Sequence, residues 1–227
     1  MKNKLLLLLV ALSIGFVTNI FAQRGNYRIT NGIAITGAMT NFNIVTDNFN
    51  TKQDTGFLGG MTATVDIPNR WYNISFGMQL SENHLKIEGR SDALTKDIAF
   101  IEYKLFAAQV AMLAHIKLID NNVTIDVGPM LQYNGKLELN NTAEENYYIN
   151  NYSNVTASDI TNISQFNING AIGASAGLDF IKLKVQYIYG FTNIFKKLNS
   201  QNLDTSSGNG SFKGNQSMLV LGAFVSF

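Results

Sequence analysis

Residues 217–227 read SMLVLGAFVSF, and apolar side chains recur at every second position of this stretch. One stripe contains Leu219, Leu221, Val225 and Phe227. A period of two is typical of a β-strand whose two faces meet different surroundings. Terminal residues usually fray unless neighbouring structure holds them. A strand that runs to the last residue is therefore expected to pair on both sides, which predicts a closed sheet.

The same alternation recurs along the whole chain. In residues 71–80, for example, Ile74 and Phe76 alternate with Ser75. Residues 105–119 also suit a buried helix, since Ala, Leu and Met favour one, but their alternation favours a strand. The eight alternating segments are 33–42, 57–67, 71–80, 108–118, 123–134, 168–178, 181–195 and 217–227.

The connections between these segments alternate in length. Short turns at one end and long loops at the other are typical of outer-membrane barrels. The sequence therefore predicts an all-β fold, an eight-stranded antiparallel up-and-down transmembrane β-barrel with both termini in the periplasm. Tight turns are predicted at 68–69, 120–121 and 179–181, and long polar connections at 43–56, 82–96, 140–164 and 196–215.

A soluble barrel with inward apolar stripes is the alternative. Its wet face would carry many Lys and Glu. Charged residues make up only 15% of this chain, against about 25% in ordinary soluble domains, and the polar stripes hold mainly Asn, Ser, Thr, Gln and Gly. This composition favours the outer membrane of a Gram-negative bacterium. The net charge of +1 argues against a nucleic-acid partner.

The first residues have the features of a secretory signal peptide. Lys2 and Lys4 precede an apolar stretch, and Ala22 precedes the polar Gln23. We therefore expect a signal peptide at 1–22 and one barrel domain at 23–227. The chain contains no Cys, so neither a lipid anchor on cysteine nor a disulfide is expected.

Two motifs stand out in the second half of the chain. One is Gly128-Pro129, which precedes a long predicted loop, and the other is a strand with Tyr187 and Gly190 followed by residues 191–194, Phe-Thr-Asn-Ile. With these motifs the sequence resembles the PorT-like outer-membrane β-barrel family of Bacteroidetes-type bacteria. The terminal Phe227 resembles the signal that the barrel-assembly machinery reads. The resemblance implies an outer-membrane barrel, and the family name refers to a secretion apparatus.

Proline cannot donate a hydrogen bond to a neighbouring strand. A local bulge is therefore expected at Pro129.

The inward stripes place ionisable side chains near the ends with tight turns. An eight-stranded barrel is just wide enough for its own side chains to fill. Buried charges need partners, so we expect a charge network that plugs the periplasmic end; a proton or ion path is the alternative. With a two-residue turn at 120–121, His115 falls opposite Asp126; with two residues more of loop, Lys117 would lie there instead. The predicted network comprises Asp66, His115, Lys117, Asp126, Asp179, Lys182 and Lys184.

The predicted function is that of a non-catalytic structural or interaction component acting through its outer loops. Tyr147, Tyr148 and Tyr152 are candidate contacts for a protein or glycan, since Tyr and Asn suit adaptable binding. Membrane lipid and, during biogenesis, the barrel-assembly machinery are the other expected partners. An enzyme acting on lipid or peptide through His84, near Ser81, is one alternative, and a narrow channel is another. No cofactor or metal motif is found.

Overall fold

The computed structural model describes residues 30–67, 69–92, 97–208 and 210–227. The predicted signal peptide at 1–22 lies outside these residues. These described residues form eight long strands and one short strand. They are β1 (Thr30–Val45), β2 (Thr51–Asp66), β3 (Tyr72–Arg90), β4 (Ala99–Ile119), β5 (Val123–Leu139), the two-residue β6 (Tyr148–Ile149), β7 (Phe166–Gly177), β8 (Ile181–Gly190) and β9 (Asn215–Ser226).

The eight long strands form a closed antiparallel ring. Each pairs with its neighbours in the chain, and β9 pairs with both β8 and β1. The backbone N–H of Phe227 also donates to the carbonyl oxygen of Ile33, at 2.8 Å. The expectation that the last strand pairs on both sides is therefore confirmed. The short β6 adds to the end of β3, where Ile149 lies opposite Gly89.

The alternating pattern has its apolar side outward. Phe76 and Met78 are 56% and 63% exposed, whereas Ser75 before them and Gln79 after them are 2% and 4% exposed. The same arrangement holds around the ring and surrounds the barrel with an apolar belt. An exposed apolar surface of this extent faces lipid rather than water. The chain is a membrane-spanning barrel, and residues 105–119 belong to strand β4.

Short turns join the strands at one end of the barrel, here called the turn end. They comprise residues 67–71, 120–122 and 178–180. Asn69 (φ 59°) and Asp120 (φ 44°) adopt the left-handed conformation there, which Asn and Asp enter more readily than most residues. Both described chain ends, Thr30 and Phe227, lie at this end.

The opposite end, here called the loop end, carries two long connections, 140–165 and 191–214. The first connection at this end is short, residues 46–50, so the long loop predicted at 43–56 is wrong. The predicted loop at 82–96 is also mostly strand, since β3 continues to Arg90. β3 extends this far because its alternation continues. Leu85 and Ile87 still face inward and are buried, while the outward-facing residues are now polar.

The expected bulge at Pro129 is wrong as well. Met130 lies opposite Ala111 and Val127 opposite Ala114, which is one continuous register. Pairing between β4 and β5 is interrupted at Gly128 and Pro129 and then resumes unchanged. The missing N–H of proline is thus accommodated by two unpaired positions, without an extra residue. The register shifts between these strands lie between 105 and 107 and between 117 and 119.

Three short 3-10 helices lie in the loop-end connections: Thr142–Glu144, Asp159–Thr161 and Lys196–Ser200. Among the described residues no helix is long and apolar enough to cross a membrane.

Candidate functional site

Asp126 is the centre of a buried polar cluster inside the barrel near the turn end. Its carboxylate is 1% exposed. His115 lies directly opposite it in the β4–β5 pair, as predicted, with Nδ1 2.7 Å from Oδ1. The Thr124 hydroxyl donates to the same oxygen at 2.7 Å, and the Ser175 hydroxyl donates to Oδ2. Both carboxylate oxygens thus have partners, as a buried charge requires.

Lys184 is the second charged group in this cluster. It is 9% exposed, and it lines a cavity of about 30 Å³ together with His115, Asp126 and Ser175. No carboxylate lies within ion-pair distance of Lys184 in the part of the chain that the structure describes. Asp126 is therefore the charge whose field compensates that of Lys184 across the cavity.

His115 also reaches the hydroxyl of Ser75, with Nε2 2.6 Å from Oγ. Ser75, His115 and Asp126 are thus arranged in the order of a serine hydrolase triad. Nδ1 faces the carboxylate and Nε2 faces the hydroxyl. However, Ser75 is only 2% exposed, and the adjacent cavity holds little more than one water molecule. The relay geometry is complete, but a substrate has no room beside Ser75.

A second polar layer lies between this cluster and the turn end. Lys117 Nζ contacts Asp66 Oδ1 at 2.8 Å, and the Asn121 amide donates to Asp66 Oδ2 at 2.9 Å. Lys182 donates to the backbone carbonyl of Asn121. Asn73 donates to the Asn121 side-chain oxygen at 3.1 Å. The layer ties β2, β3, β4 and β8 together across the lumen at the turn end.

The structure therefore joins some of the predicted network and leaves one member apart. His115 with Asp126 and Lys117 with Asp66 form direct pairs. Asp179 lies exposed in the turn 178–180 and takes no part in the hydrogen bonds found among the described lumen residues.

An amide cluster fills the middle of the lumen and was not predicted. Gln109 donates to Gln132 Oε1 at 2.7 Å, and Asn169 and Gln216 donate to the same oxygen at 2.8 Å. All four side chains are at most 2% exposed. Their inward positions follow from the alternation, but their meeting point depends on how four strands are staggered.

The loop end is closed by a cap of packed aromatic and aliphatic side chains. Phe49 is its centre: ring centroids of Phe195, Phe212 and Tyr152 lie 5.2, 5.6 and 5.8 Å away. These four residues come from three different connections. Below them lie buried aliphatic side chains from the strand ends, among them Ile44, Leu85, Ile87, Ile101, Leu105 and Leu137. The connections thus cover the mouth of the barrel at the loop end.

Tyr152 is part of this cap, which corrects its predicted role as a surface contact. It is 1% exposed, and its hydroxyl accepts a hydrogen bond from Asn48 Nδ2 at 3.1 Å. Its ring packs inward because burying the aromatic surface stabilises the loop more than leaving that surface in contact with water. Tyr147 and Tyr148 are half-buried and stay candidates for contacts at the surface.

Hydrogen bonds between the two long connections organise the outer surface of the cap. The Ser206 hydroxyl and Asn154 Nδ2 each donate to Asp204, at 2.6 Å. These two hydrogen bonds, chiefly the one from Ser206, hold the pKa of Asp204 below its ordinary value. The Ser207 hydroxyl accepts from the backbone N–H of Ser153 at 2.8 Å. The cap surface is therefore a defined shape built from both connections.

His84 lies on the outer face of β3, between two carboxylates. Nδ1 is 3.1 Å from Glu102 and Nε2 is 3.2 Å from Glu82. Ser81 faces the lumen instead, where its hydroxyl accepts from Asn83. Ser81 and His84 are thus on opposite faces of the strand, as neighbours of odd separation must be. The structure does not bring together the hydrolase pair considered for His84.

The described residues contain no group of three or more His, Asp or Glu side chains that could hold a metal ion. No family model and no curated protein matches the sequence. Membership of the PorT-like family therefore stays a prediction.

The chain is similar in structure to several solved barrels. Neisserial surface protein A (NspA) shares 11% identity at a TM-score of 0.48, over 86% of this chain and 97% of that one. OprG, an outer membrane protein from Pseudomonas aeruginosa, shares 9% identity at a TM-score of 0.46, over 88% and 97%. Ail, the attachment invasion locus protein of Yersinia pestis, shares 12% identity at a TM-score of 0.43, over 87% and 99%. At such values none of them informs the binding or activity of this chain.

Proposed function

We propose that this chain is a non-catalytic, non-conducting outer-membrane barrel that presents the cap at the cell surface as an interaction site. The observation that carries the proposal is the filling of the lumen. Packed side chains close the loop end, two polar layers occupy the turn end, and an amide cluster lies between them. Because side chains of the described residues occupy the lumen at these three levels, we infer that the exposed surface of the cap is the part free to act.

The ordered connections support this proposal. A rigid scaffold usually carries its function on its loops, and the cap holds 140–165 and 191–214 in one conformation through shared hydrogen bonds and packing. A preorganised surface binds with a smaller entropic cost than a mobile loop. Tyr147 and Tyr148, half-buried at this surface, are the contacts that we propose for a protein or glycan partner.

Orientation and biogenesis are further parts of the proposal. In outer-membrane barrels the short turns face the periplasm, so both chain ends would lie there. Phe227 is 78% exposed at the turn end and would be available to the barrel-assembly machinery before the sheet closes. The motifs at 128–129 and 187–194 are the basis for proposing a link to a secretion apparatus.

Gel migration and conductance test the closed, filled barrel. Protein extracted from an outer-membrane fraction is expected to migrate differently before and after boiling, because a closed barrel resists detergent until heated. The same protein in planar bilayers is expected to show no discrete conductance steps. Regular steps from the protein that shifts on the gel would establish a channel and contradict the proposal. A chain found soluble in the periplasm would contradict its membrane location.

A hydrolase is the second candidate, favoured by the Ser75–His115–Asp126 geometry alone. In such an enzyme Ser75 Oγ would attack an ester carbonyl while His115 Nε2 takes its proton. The neighbouring cavity of about 30 Å³ is too small for such a substrate.

A fluorophosphonate probe separates the two candidates. We expect no labelling of the folded barrel, because Ser75 is buried beside a cavity of one-water size. Ser81→Ala serves as the control for a lumen serine that does not contact a histidine. Labelling that is lost in Ser75→Ala and kept in Ser81→Ala would establish a reactive serine and overturn the non-catalytic proposal.

A further inference from the structure

A cavity lies outside the lumen, on the lipid-facing surface of β5, β7 and β8. Its volume is about 450 Å³, within the range of small-molecule sites. Apolar and aromatic residues line it, chiefly Val127, Pro129, Gly170, Ile172, Tyr187 and Phe191. The lining includes Gly128-Pro129 and, from the Tyr-x-x-Gly-Phe motif, Tyr187 and Phe191.

The groove exists because its floor has almost no side chains. Gly170 faces outward on β7 opposite Pro129 of β5. A Cβ at Gly170 would lie 2.7 Å from the ring of Phe191, so a larger residue there would displace that ring. The ring of Phe191 forms one wall of the groove. Tyr189 packs edge-on against it, with ring centroids 6.1 Å apart, and this contact stabilises the position of the ring.

The walls of the groove are continuous with the apolar belt. Ile172 and Phe191 are 57% and 66% exposed, and Val127 is 41% exposed. Charged side chains are missing from its described lining. A concave apolar site that opens sideways into a bilayer is filled by what the bilayer offers, which is hydrocarbon chains. A protein partner would instead need a protruding ridge that fits the groove.

We propose that this groove is a binding site for one acyl chain of a membrane lipid. The chain lies over Gly170 and Pro129 and contacts the ring of Phe191. The site differs from the rest of the belt in holding the lipid in a fixed place, whereas lipids around a convex surface exchange freely. This inference rests on the barrel lying in a bilayer and is independent of what the cap binds.

Photolabelling in vesicles tests the site. The protein is reconstituted into phosphatidylethanolamine and phosphatidylglycerol vesicles that contain a phosphatidylethanolamine with a diazirine on one acyl chain. After irradiation, labelled peptides are mapped by mass spectrometry. We expect labels to concentrate in residues 123–134 and 166–191. In Gly170→Leu this labelling is expected to fall about tenfold, because the new side chain fills the floor and removes buried apolar contact.

Gly37→Leu is the matched control. Gly37 also faces lipid, on β1, and a Cβ there meets nothing within 4 Å. It adds the same side chain to the belt without filling a groove, so labelling of 166–191 is expected to stay unchanged. Heat-modifiable migration of both variants shows that each barrel is folded and inserted, which separates loss of the site from loss of the barrel.

A second pair of variants covers the case in which Gly170→Leu does not fold. Phe191→Ala removes the wall, and Phe57→Ala removes an equally exposed ring, 68% against 66%, from β2. Only Phe191→Ala is expected to reduce labelling of the groove. Labels spread evenly around the belt, or equal in both members of a pair, would overturn the proposal. Cross-linking of two protein copies through β7 and β8 in place of lipid would overturn it too.

Discussion

Replacing Asp126 with alanine is expected to lower the free energy of unfolding of the barrel by about 3–5 kcal/mol. The carboxylate accepts from His115, Thr124 and Ser175 and lines the same small cavity as Lys184. Without it, a buried ammonium has no compensating charge and three donors lose their acceptor. Removing one partner from a buried charged group costs more than the pair itself contributes.

Urea unfolding in lipid vesicles measures this effect. Trp71 is the single tryptophan of the chain, and it lies in the turn before β3, where it is 65% exposed. Its fluorescence is expected to change when the turn end of the barrel unfolds. The unfolding midpoint of Asp126→Ala is expected to lie well below that of the unchanged protein at the same lipid composition.

Asp179→Ala is the control for this variant, since Asp179 is an aspartate in an exposed turn. Its effect is expected to stay within about 0.5 kcal/mol, as for most surface substitutions. Equal stability of Asp126→Ala and the unchanged protein would show that the lumen cluster does not hold the barrel together. The double variant Asp126→Ala with Lys184→Met should recover part of the loss, because it removes the uncompensated charge.

Replacing Phe195 with alanine is expected to destabilise the cap by about 3–5 kcal/mol while the barrel stays closed. Phe195 is fully buried, and its ring meets that of Phe49 edge-on at 5.2 Å. Gly214 contacts the ring of Phe195, but it has no side chain that could fill the cavity left in the cap. The open population of the loops should therefore rise by a factor on the order of 10² or more.

Limited proteolysis of the reconstituted protein measures cap opening. New cleavage is expected within 140–165 and 191–214, while the heat-modifiable shift is kept. Phe100→Ala removes the same atoms from a position that is 48% exposed and is expected to leave cleavage unchanged. If Phe195→Ala were as resistant as Phe100→Ala, the connections would be held by their hydrogen bonds and not by the aromatic packing.

The strands were predictable because each one carries its own signal. A period of two appears wherever one face meets lipid and the other meets the lumen, and it needs no knowledge of neighbouring strands. The errors arose where polar residues continue a strand beyond the membrane. At 51–56 and 82–90 the residues that resemble a loop lie in paired strands. Residues 54–56 of β2 pair with 40–42 of β1, and residues 51–53 of β2 pair with 85–87 of β3.

The candidate site was predictable only in part. The period-two alternation of each strand placed His115, Asp126 and Lys184 inside the barrel. The tight turn at 120–122 brings His115 opposite Asp126. The contact of Ser75 with His115 was not predictable. The contact is diagonal between the neighbouring strands β3 and β4, because Ser75 itself lies opposite Leu113. Such contacts depend on the stagger of the barrel, which no single strand encodes.

The sequence by itself determined the eight strands, the lipid-facing side of each and the inward position of the ionisable groups, because these follow from local alternation. Only the tertiary structure decided what closes the barrel at each end and where the lipid-facing groove lies. Phe49, Tyr152 and Phe195 are far apart in the chain, and Gly170 of β7 meets Phe191, which follows the neighbouring strand β8. Their packing is set by the closure of the ring and by the way that two long connections fold over its mouth.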